Sequence, residues 1–277
     1  MIIDAHQHFW QPERGDYGWL TPELPTLYRD FMPADLEPHL QKHGIGGTIL
    51  VQAAPTIAET EFLLDIAQET SFVLGVVGWV DFTDAPDQIA RLSAHPKMLG
   101  LRPMLQDIAE DDWMLRAELA PAFEAIITHD LTFDALVQPR HLPYLRRLLA
   151  QYPDLRVVID HGAKPDIAGG DCAEWENDIA ALAKETLAYC KLSGLITEAS
   201  DHWVADDITP YITHLVRCFG ENRLIWGSDW PVLTLAASYE QWLTIANSMI
   251  QTETAKRSVF GQNAIAAYKL DRKLLEC

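Results

Sequence analysis

The sequence predicts a single (β/α)8 barrel with a long loop after its first strand. Eight short apolar, β-rich runs alternate with amphipathic stretches along the 277 residues, and no repeat, low-complexity tract or linker interrupts them. Strands that alternate with helices indicate βαβ units and a parallel sheet. Eight such units in one chain of this length favour a closed barrel over an open doubly wound sheet. We therefore expect one domain that spans residues 1–277.

The first predicted strand is the apolar run that begins the chain and ends in "DAHQHFW". The other seven are, in chain order, 46–54, 71–82, 97–103, 131–137, 155–160, 187–195 and 223–229. Residues 10–33 are long for a connection and rich in Pro, Gly and aromatics, so we expect them to cover one end of the barrel. Between the strands, Thr56-x-x-Glu59 predicts a helix start, and Pro86 and Pro210 are expected in first helical turns.

Composition narrows the class of protein. The 21 basic and 40 acidic residues give a net charge of -19, which repels polyphosphate and anionic membrane surfaces, so neither nucleic acid nor a membrane is an expected partner. The four cysteines contain no Cys-x-x-Cys pair and predict neither a disulfide framework nor a thiolate zinc site. No leader or membrane-spanning run is recognised, and a cytoplasmic location is expected. The oligomeric state is open, a homo-oligomer included.

Two histidines lie one residue apart in the first predicted strand. Residues two apart in a strand point to the same face. His6 and His8 are therefore expected on one polar face together with Asp4, while Ile3 and Ala5 pack beneath helices. The alternative is a surface strand with two solvated histidines.

Further candidate ligands follow two later strands, and barrel enzymes hold their chemistry at the carboxyl ends of the strands. His161 follows the sixth run and is expected on the face of Ile159, and Asp229 ends the eighth run and is expected on the face of Ile225. Nitrogen and oxygen ligands of this kind suit zinc. The sequence thus predicts a divalent metal site with the ligands His6, His8, His161 and Asp229.

Motifs along the whole chain resemble a known family. They are "IDAHQHFW", "VQAAP", "GLRPMLQ", "DHGAKPDI", "CKLSGLITEA", "FGENRLIWGSDWPV", "SYEQWL" and "FGQNAIAAYKL". The resemblance is to the sugar-lactone hydrolase branch of the amidohydrolase superfamily, the amidohydrolase-2 group, which includes L-fuconolactone and L-rhamnonolactone hydrolases. It implies a (β/α)8 barrel with Asp229 in the position of the general base. It also puts His6, His8 and His161 in positions of metal- or substrate-binding histidines.

The chain departs from the two-metal pattern of that superfamily. The pattern needs a carboxylated lysine or a carboxylate at the end of the fourth strand, whereas the fourth run here, 97–103, has Lys97 at the opposite end and presents Arg102 instead. The fifth run offers no histidine at its end. We therefore expect at most one divalent metal, with zinc first. Catalysis without a metal stays open, because some proteins that resemble this branch need none.

The implied chemistry assigns roles to three catalytic residues. Opening a lactone needs an activated water, a stabilised oxyanion and a proton for the departing alkoxide. Asp229 can take the proton of the water and return it to the ring oxygen. The oxyanion can be held by a metal on the histidines, or by imidazoles such as His161 together with Arg102.

The predicted substrate is a neutral sugar-acid lactone. A dicarboxylate lactone would call for several arginines, and Arg102 is the one clear arginine at a strand end. Side chains at or just beyond strand ends can bind hydroxyl groups or stack on a sugar face, namely those of Gln52, Trp79, Lys164 and His202. Core or lid packing is the alternative for Trp79, and a solvated loop position is the alternative for His202.

Two rival functions remain at this point. Related single-metal barrels decarboxylate aromatic or unsaturated acids with a similar set of histidines and an aspartate. A barrel without catalytic activity could also act as a binding protein. The polar residues at every predicted strand end argue against the second rival.

Overall fold

The computed structural model shows a closed barrel of eight parallel strands, which confirms the predicted fold. It describes residues 1–170 and 172–270, so Cys277 and the end of the predicted domain lie outside the described residues. The strands are β1 (Ile2–Gln7), β2 (Ile45–Val51), β3 (Val73–Gly78), β4 (Met98–Leu101), β5 (Thr132–Ala135), β6 (Val157–Ile159), β7 (Tyr189–Leu192) and β8 (Leu224–Trp226). Each strand pairs with the next one, and Gln7 pairs with Trp230 to close the ring.

Helices follow the strands and cover the outside of the barrel. They are α1 (Pro33–His43), α2 (Ile57–Glu69), α3 (Ala85–Ser93), α4 (Ala120–Thr128), α5 (Leu142–Gln151), α6 (Ala173–Glu185), α7 (Ala205–Phe219), α8 (Tyr239–Met249), α9 (Glu253–Arg257) and α10 (Asn263–Ala267). Their apolar faces pack on the outward residues of the strands in the larger hydrophobic cluster. Across the described ranges, no helix combines the length and the apolar character needed to cross a membrane.

A second, smaller cluster fills the lower part of the barrel interior. Its strand residues are Ile3, Ala5, Ile49, Val51, Val77, Val158 and Ile225, and they pack against the segment around α10. The carbonyl oxygen of Ala267 accepts a hydrogen bond from Thr132, the first residue of β5, at 2.8 Å. The last helix therefore closes the amino end of the barrel, and the opposite end is left for the site.

The alternation predicted for the first strand is wrong at Asp4. Its carboxylate faces the helix layer and accepts hydrogen bonds from the Tyr239 hydroxyl of α8 at 2.9 Å and from the backbone N–H of Ser228 at 2.8 Å. Ile3 and Ala5 point into the barrel rather than beneath helices. The register of β1 against β2 shifts between Asp4 and Gln7, so His6 faces the interior although Asp4 does not.

Of the two prolines expected in first helical turns, one lies there and one does not. Pro86 lies in the first turn of α3, as predicted. Pro210 lies inside α7 instead, because that helix already begins at Ala205, where the Asp207 carboxylate accepts a hydrogen bond from the backbone N–H of Val204 at 2.8 Å.

The start of α2 is capped by Thr56, as the sequence predicted. The Thr56 hydroxyl accepts a hydrogen bond from the backbone N–H of Glu59 at 3.0 Å. The Glu59 carboxylate does not return to Thr56 but accepts the backbone N–H groups of Ala53 and Ala54, both at 2.9 Å. This carboxylate fixes the loop after β2. Burial raises the pKa of Glu59 to about 7.

We expect this carboxylate to make stability depend on pH. Because the folded state holds its proton up to about pH 7 and the unfolded chain only to about pH 4.5, the free energy of unfolding should fall between these values as pH rises, by up to about 1.4 kcal/mol per unit. Glu59→Gln should lack that slope in urea unfolding, whereas Glu61→Gln, exposed on the same helix, should keep it. If the free energy of unfolding depended on pH in the same way for Glu59→Gln and for the unaltered protein, the assignment of this slope to Glu59 would be refuted.

Candidate active site

Four predicted residues converge at the carboxyl end of the barrel. The Nε2 atoms of His6 and His8 lie 3.2 Å apart. The Asp229 Oδ1 atom lies 3.3 Å from Nε2 of His8, 3.6 Å from Nε2 of His6 and 4.0 Å from Nε2 of His161. All four residues are buried. The chain thus gathers three imidazoles around one carboxylate.

Left-handed backbone turns aim two of these side chains into the site. His161 has φ 53° and Asp229 has φ 60°, in a region that residues with a side chain seldom adopt. The predicted shared face of His161 and Ile159 is wrong: Ile159 packs in the outer cluster, and the chain turns inward only after β6 ends. Ile225 does face the interior, as expected for the strand that leads to Asp229.

A hydrogen-bond partner at Nδ1 orients two of the imidazole rings, those of His8 and His161. The Nδ1 atom of His8 lies 2.7 Å from the carbonyl oxygen of Val51, so Nδ1 carries the proton and Nε2 keeps its lone pair. The Nδ1 atom of His161 lies 2.9 Å from the Ser193 hydroxyl. Such contacts hold each imidazole in one orientation toward Asp229.

The electrostatics keep the Asp229 carboxylate ionised and the rings of His6 and His161 neutral. Burial opposes ionisation of Asp229, but the adjacent histidines, His161 first, hold its pKa well below the usual value. Burial lowers the pKa of His161 to about 4. The pKa of His6 also lies well below its usual range, because of burial and the adjacent positive charge of Lys191. At neutral pH the site therefore holds the Asp229 carboxylate beside the neutral rings of His6 and His161.

Arg102 is positioned by a network on the opposite wall. Its Nη1 atom lies 3.3 Å from Oδ2 of Asp160 and 3.4 Å from Nε2 of His6, and Nη2 donates to the carbonyl oxygen of Gln52. The Gln52 amide donates back to the carbonyl oxygen of Arg102 at 2.7 Å. The guanidinium therefore has a fixed direction at the end of β4.

A cavity of about 200 Å³ opens above this cluster. Polar groups of the cluster form its floor, and apolar side chains form part of its wall. The lining residues include Trp19, Met104, Leu136, Lys164 and Val232. The Trp19 indole donates to the carbonyl oxygen of Ala53 at 2.8 Å, so the long loop after β1 reaches over the mouth, in agreement with its expected covering role.

The predicted substrate-binding residues divide into two groups. Lys164 lines the cavity and forms an ion pair with Glu198 at 2.7 Å. Gln52 lies beneath the wall and supports Arg102 instead of facing the cavity. Trp79 is half-buried and His202 is exposed, and neither is part of the described cavity wall. A direct contact of Trp79 or His202 with substrate stays a prediction.

The sequence reasoning missed a buried group of charges beneath the floor. Its members are Lys191 of β7, Asp134 of β5, Asp160 after β6 and Tyr268 next to α10. A charged residue in the middle of an otherwise apolar strand was the available signal, because such a residue has to find a partner inside the barrel.

The donor set fits a divalent metal ion in spacing and chemistry. One ligand atom each from His6, His161 and Asp229 lies within 4.8 Å of the others. Ligands of a tetrahedral zinc ion lie about 3.3 Å apart for bonds of about 2.0–2.1 Å, and Asp229 Oδ1 lies 3.6 Å from His6 and 4.0 Å from His161; His8, the fourth predicted ligand, is not part of this group. Small side-chain shifts would bring them to the metal.

A parallel barrel with three imidazoles and an ionised aspartate at the carboxyl ends of its strands defines a hydrolase-type barrel site. The chain belongs to the amidohydrolase family, whose model matches residues 3–270.

Characterised relatives span nearly the whole chain. An L-fucono-1,5-lactonase of Burkholderia ambifaria is 49% identical over 98% of this chain and 96% of its own length. A protein of the same name from Burkholderia multivorans is 34% identical over 97% of this chain and 96% of its own length. A crystal structure of a Burkholderia multivorans amidohydrolase with bound zinc superposes with a TM-score of 0.92 at 33% identity, and covers 98% of this chain and 99% of its own.

The cluster predicts one zinc ion per chain when the protein is titrated with Zn²⁺. Replacement of His161 by Ala removes one of three ligands, so the dissociation constant for zinc should rise at least about tenfold. Isothermal titration calorimetry of metal-stripped protein measures this change. His202→Ala removes an exposed imidazole and should leave the constant unchanged. Equal zinc affinity in both variants would contradict the proposed ligand set.

Proposed function

We propose that this protein hydrolyses a neutral sugar-acid lactone to the open-chain acid. The single observation that carries the proposal is the ionised Asp229 among three imidazoles at the floor of a cavity with a partly apolar wall. The two L-fucono-1,5-lactonases among the relatives support the substrate class. A six-membered lactone of a 6-deoxy sugar acid is the first substrate to test.

The cavity charges favour a neutral substrate. Of the cations that line the described cavity, Arg102 is paired with Asp160 at 3.3 Å and Lys164 with Glu198 at 2.7 Å. A carboxylate on the substrate would have to break one of these pairs. The hydroxyl groups of a sugar lactone need only hydrogen-bond partners, and the Met104, Leu136 and Val232 side chains suit a methyl group.

Asp229 acts as the general base in this proposal. Its carboxylate takes a proton from a water molecule that attacks the lactone carbonyl, and it returns the proton to the ring oxygen as the bond opens. His8 and His161 border the same cavity, and their Nε2 atoms lie 3.3 and 4.0 Å from the Asp229 carboxylate. Arg102 stabilises the oxygen that becomes negative.

The same residues could use a metal ion. A divalent ion on His6, His161 and Asp229 would act as a Lewis acid toward the carbonyl oxygen. With or without it, the chain's own groups fix the water and the ester in the cavity.

Acid release measured with a pH indicator in weak buffer tests the proposal against its main rival. Sugar lactones should release acid, and aromatic or unsaturated acids should release no carbon dioxide. Carbon dioxide release without lactone hydrolysis would favour decarboxylation, and silence in both assays would indicate a barrel without catalytic activity.

Asp229→Asn should lower kcat about a hundredfold or more, because the amide keeps the size of the side chain but cannot accept the proton. Steady-state kinetics measure the loss, and circular dichroism checks that the barrel is intact. Asp65→Asn, exposed on α2, is the matched control and should retain full turnover. Near-normal turnover of Asp229→Asn would exclude it as the base.

Substrate preference should follow the wall of the cavity. We expect 6-deoxyaldonolactones to be hydrolysed about tenfold faster, in kcat/KM, than their 6-hydroxy analogues, because a hydroxyl against apolar side chains stays unpaired. Valerolactone, which lacks hydroxyl groups, should be a poorer substrate than either. A preference for a dicarboxylate lactone would show that the charge reasoning is wrong.

A further inference from the structure

A buried charge cluster lies directly beneath the floor of the site. Lys191 projects from the middle of β7 into the barrel and is fully buried, as are Asp134 and Asp160. The Lys191 ammonium lies 2.5 Å from Oδ2 of Asp134 and 2.9 Å from Oδ1 of Asp160. The Tyr268 hydroxyl donates to the same Asp134 oxygen at 2.7 Å. Nothing in the proposed mechanism uses these groups directly.

Lys191 also touches the site itself. Its Nζ atom lies 3.1 Å from Nδ1 of His6. An ammonium group has only N–H donors and no acceptor, and here it donates to Asp134, forms an ion pair with Asp160 and lies against Nδ1 of His6. The Nδ1 atom of His6 therefore accepts a hydrogen bond. Because a neutral imidazole carries one proton, that proton lies on Nε2.

The surroundings of His6 Nε2 agree with a donor at this atom. Nε2 of His8 lies 3.2 Å away and keeps its lone pair, since its Nδ1 donates to the carbonyl oxygen of Val51. The Asp229 Oδ1 atom, an acceptor, lies 3.6 Å away. One group is not an acceptor: the Arg102 Nη1 atom, a donor, lies 3.4 Å from Nε2, but it also donates to Oδ2 of Asp160 at the shorter distance of 3.3 Å.

We propose that Lys191 is a positioning residue that holds His6 in its Nε2–H tautomer. In this state the Nε2–H group of His6 points toward His8 and Asp229. His6 then holds the Asp229 carboxylate from the side of the buried charge cluster. The tautomer follows from the hydrogen-bond partners alone, whereas its effect on turnover rests on the proposed lactone hydrolysis.

Lys191 also opposes binding of a metal ion at His6. A metal needs the lone pair of Nε2, so the proton has to move to Nδ1, where it meets the Lys191 ammonium. The Asp160 Oδ1 atom lies 3.5 Å from Nδ1 of His6 and could accept that proton as a hydrogen bond once Lys191 is absent. Asp160, the His6 ring and the metal ion would then form the carboxylate–histidine–metal arrangement that is common in metal sites. Lys191 thus favours the metal-free state of His6.

The test begins with the unaltered, metal-stripped protein. Long-range ¹H–¹⁵N correlation spectra of histidine-labelled protein identify which ring nitrogen carries the proton, and His6→Gln assigns the signals. We expect the His6 proton on Nε2. A proton on Nδ1 would overturn the proposal. Because the spectra are recorded on the unaltered protein, this measurement needs no substitution of Lys191.

A double variant then tests the cause. Lys191→Met alone leaves two carboxylates without their ammonium and could unfold the barrel. Lys191→Met combined with Asp134→Asn removes one positive and one negative charge, and Asp160 keeps Arg102 as its partner. We expect the His6 proton to move to Nδ1, the dissociation constant for Zn²⁺ to fall at least about tenfold, and kcat without metal to fall about tenfold with KM within about twofold.

A matched lysine controls for nonspecific effects. Lys97→Met removes a half-buried lysine that donates to the carbonyl oxygens of Ala67 and Val73 before β4, away from the site. It should leave the tautomer, the zinc affinity and kcat unchanged. A double variant that keeps the Nε2 proton and the original zinc affinity would overturn the proposal. Inactivity of the unaltered protein on lactones would refute only the proposed function, since the spectra and the zinc titration do not depend on it.

Discussion

The closure of the barrel between its first and last strands is the constraint on which the site depends. The backbone N–H of Asp229 donates to the carbonyl oxygen of His6 at 2.8 Å, and the N–H of His8 donates to that of Trp230 at 2.7 Å. These bonds join residues more than two hundred positions apart and place the carboxylate beside two imidazoles. The same ladder that completes the sheet therefore also assembles the candidate base, so folding and assembly of the site are one event.

Interior charges beneath the site are tolerated because they are paired with one another. An unpaired charge in this interior would be costly, and removal of one partner from a buried pair typically costs about 3–5 kcal/mol. Lys191 satisfies Asp134 and Asp160 and still reaches His6, so the rigid floor and the orientation of the ring come from one side chain. Such a network specifies the geometry of a site more than it stabilises the fold.

Much of the fold and the main members of the site could be predicted from the sequence, because apolar runs identify strands and barrels hold their chemistry at strand ends. His6 and Asp229 were found in this way. The direction of Asp4 was not, because a shift in strand register is set by pairing with β2 and leaves no mark in a local pattern. Lys191 and Asp134 were missed because each is a lone charge in an apolar run, and its partner is fixed only by the three-dimensional order of the strands.

The charges that are buried beneath the site also bear on which substrate the cavity accepts. At neutral pH the cations Lys191 and Arg102 offset the carboxylates of Asp134 and Asp160 within the described interior. Asp229 remains as a negative charge beside the neutral rings of His6 and His161. A carboxylate-bearing substrate would bring a second negative charge beside it, where the low dielectric of the barrel strengthens repulsion. A neutral lactone avoids this repulsion, and its negative charge arises only as the carbonyl is attacked, next to Arg102.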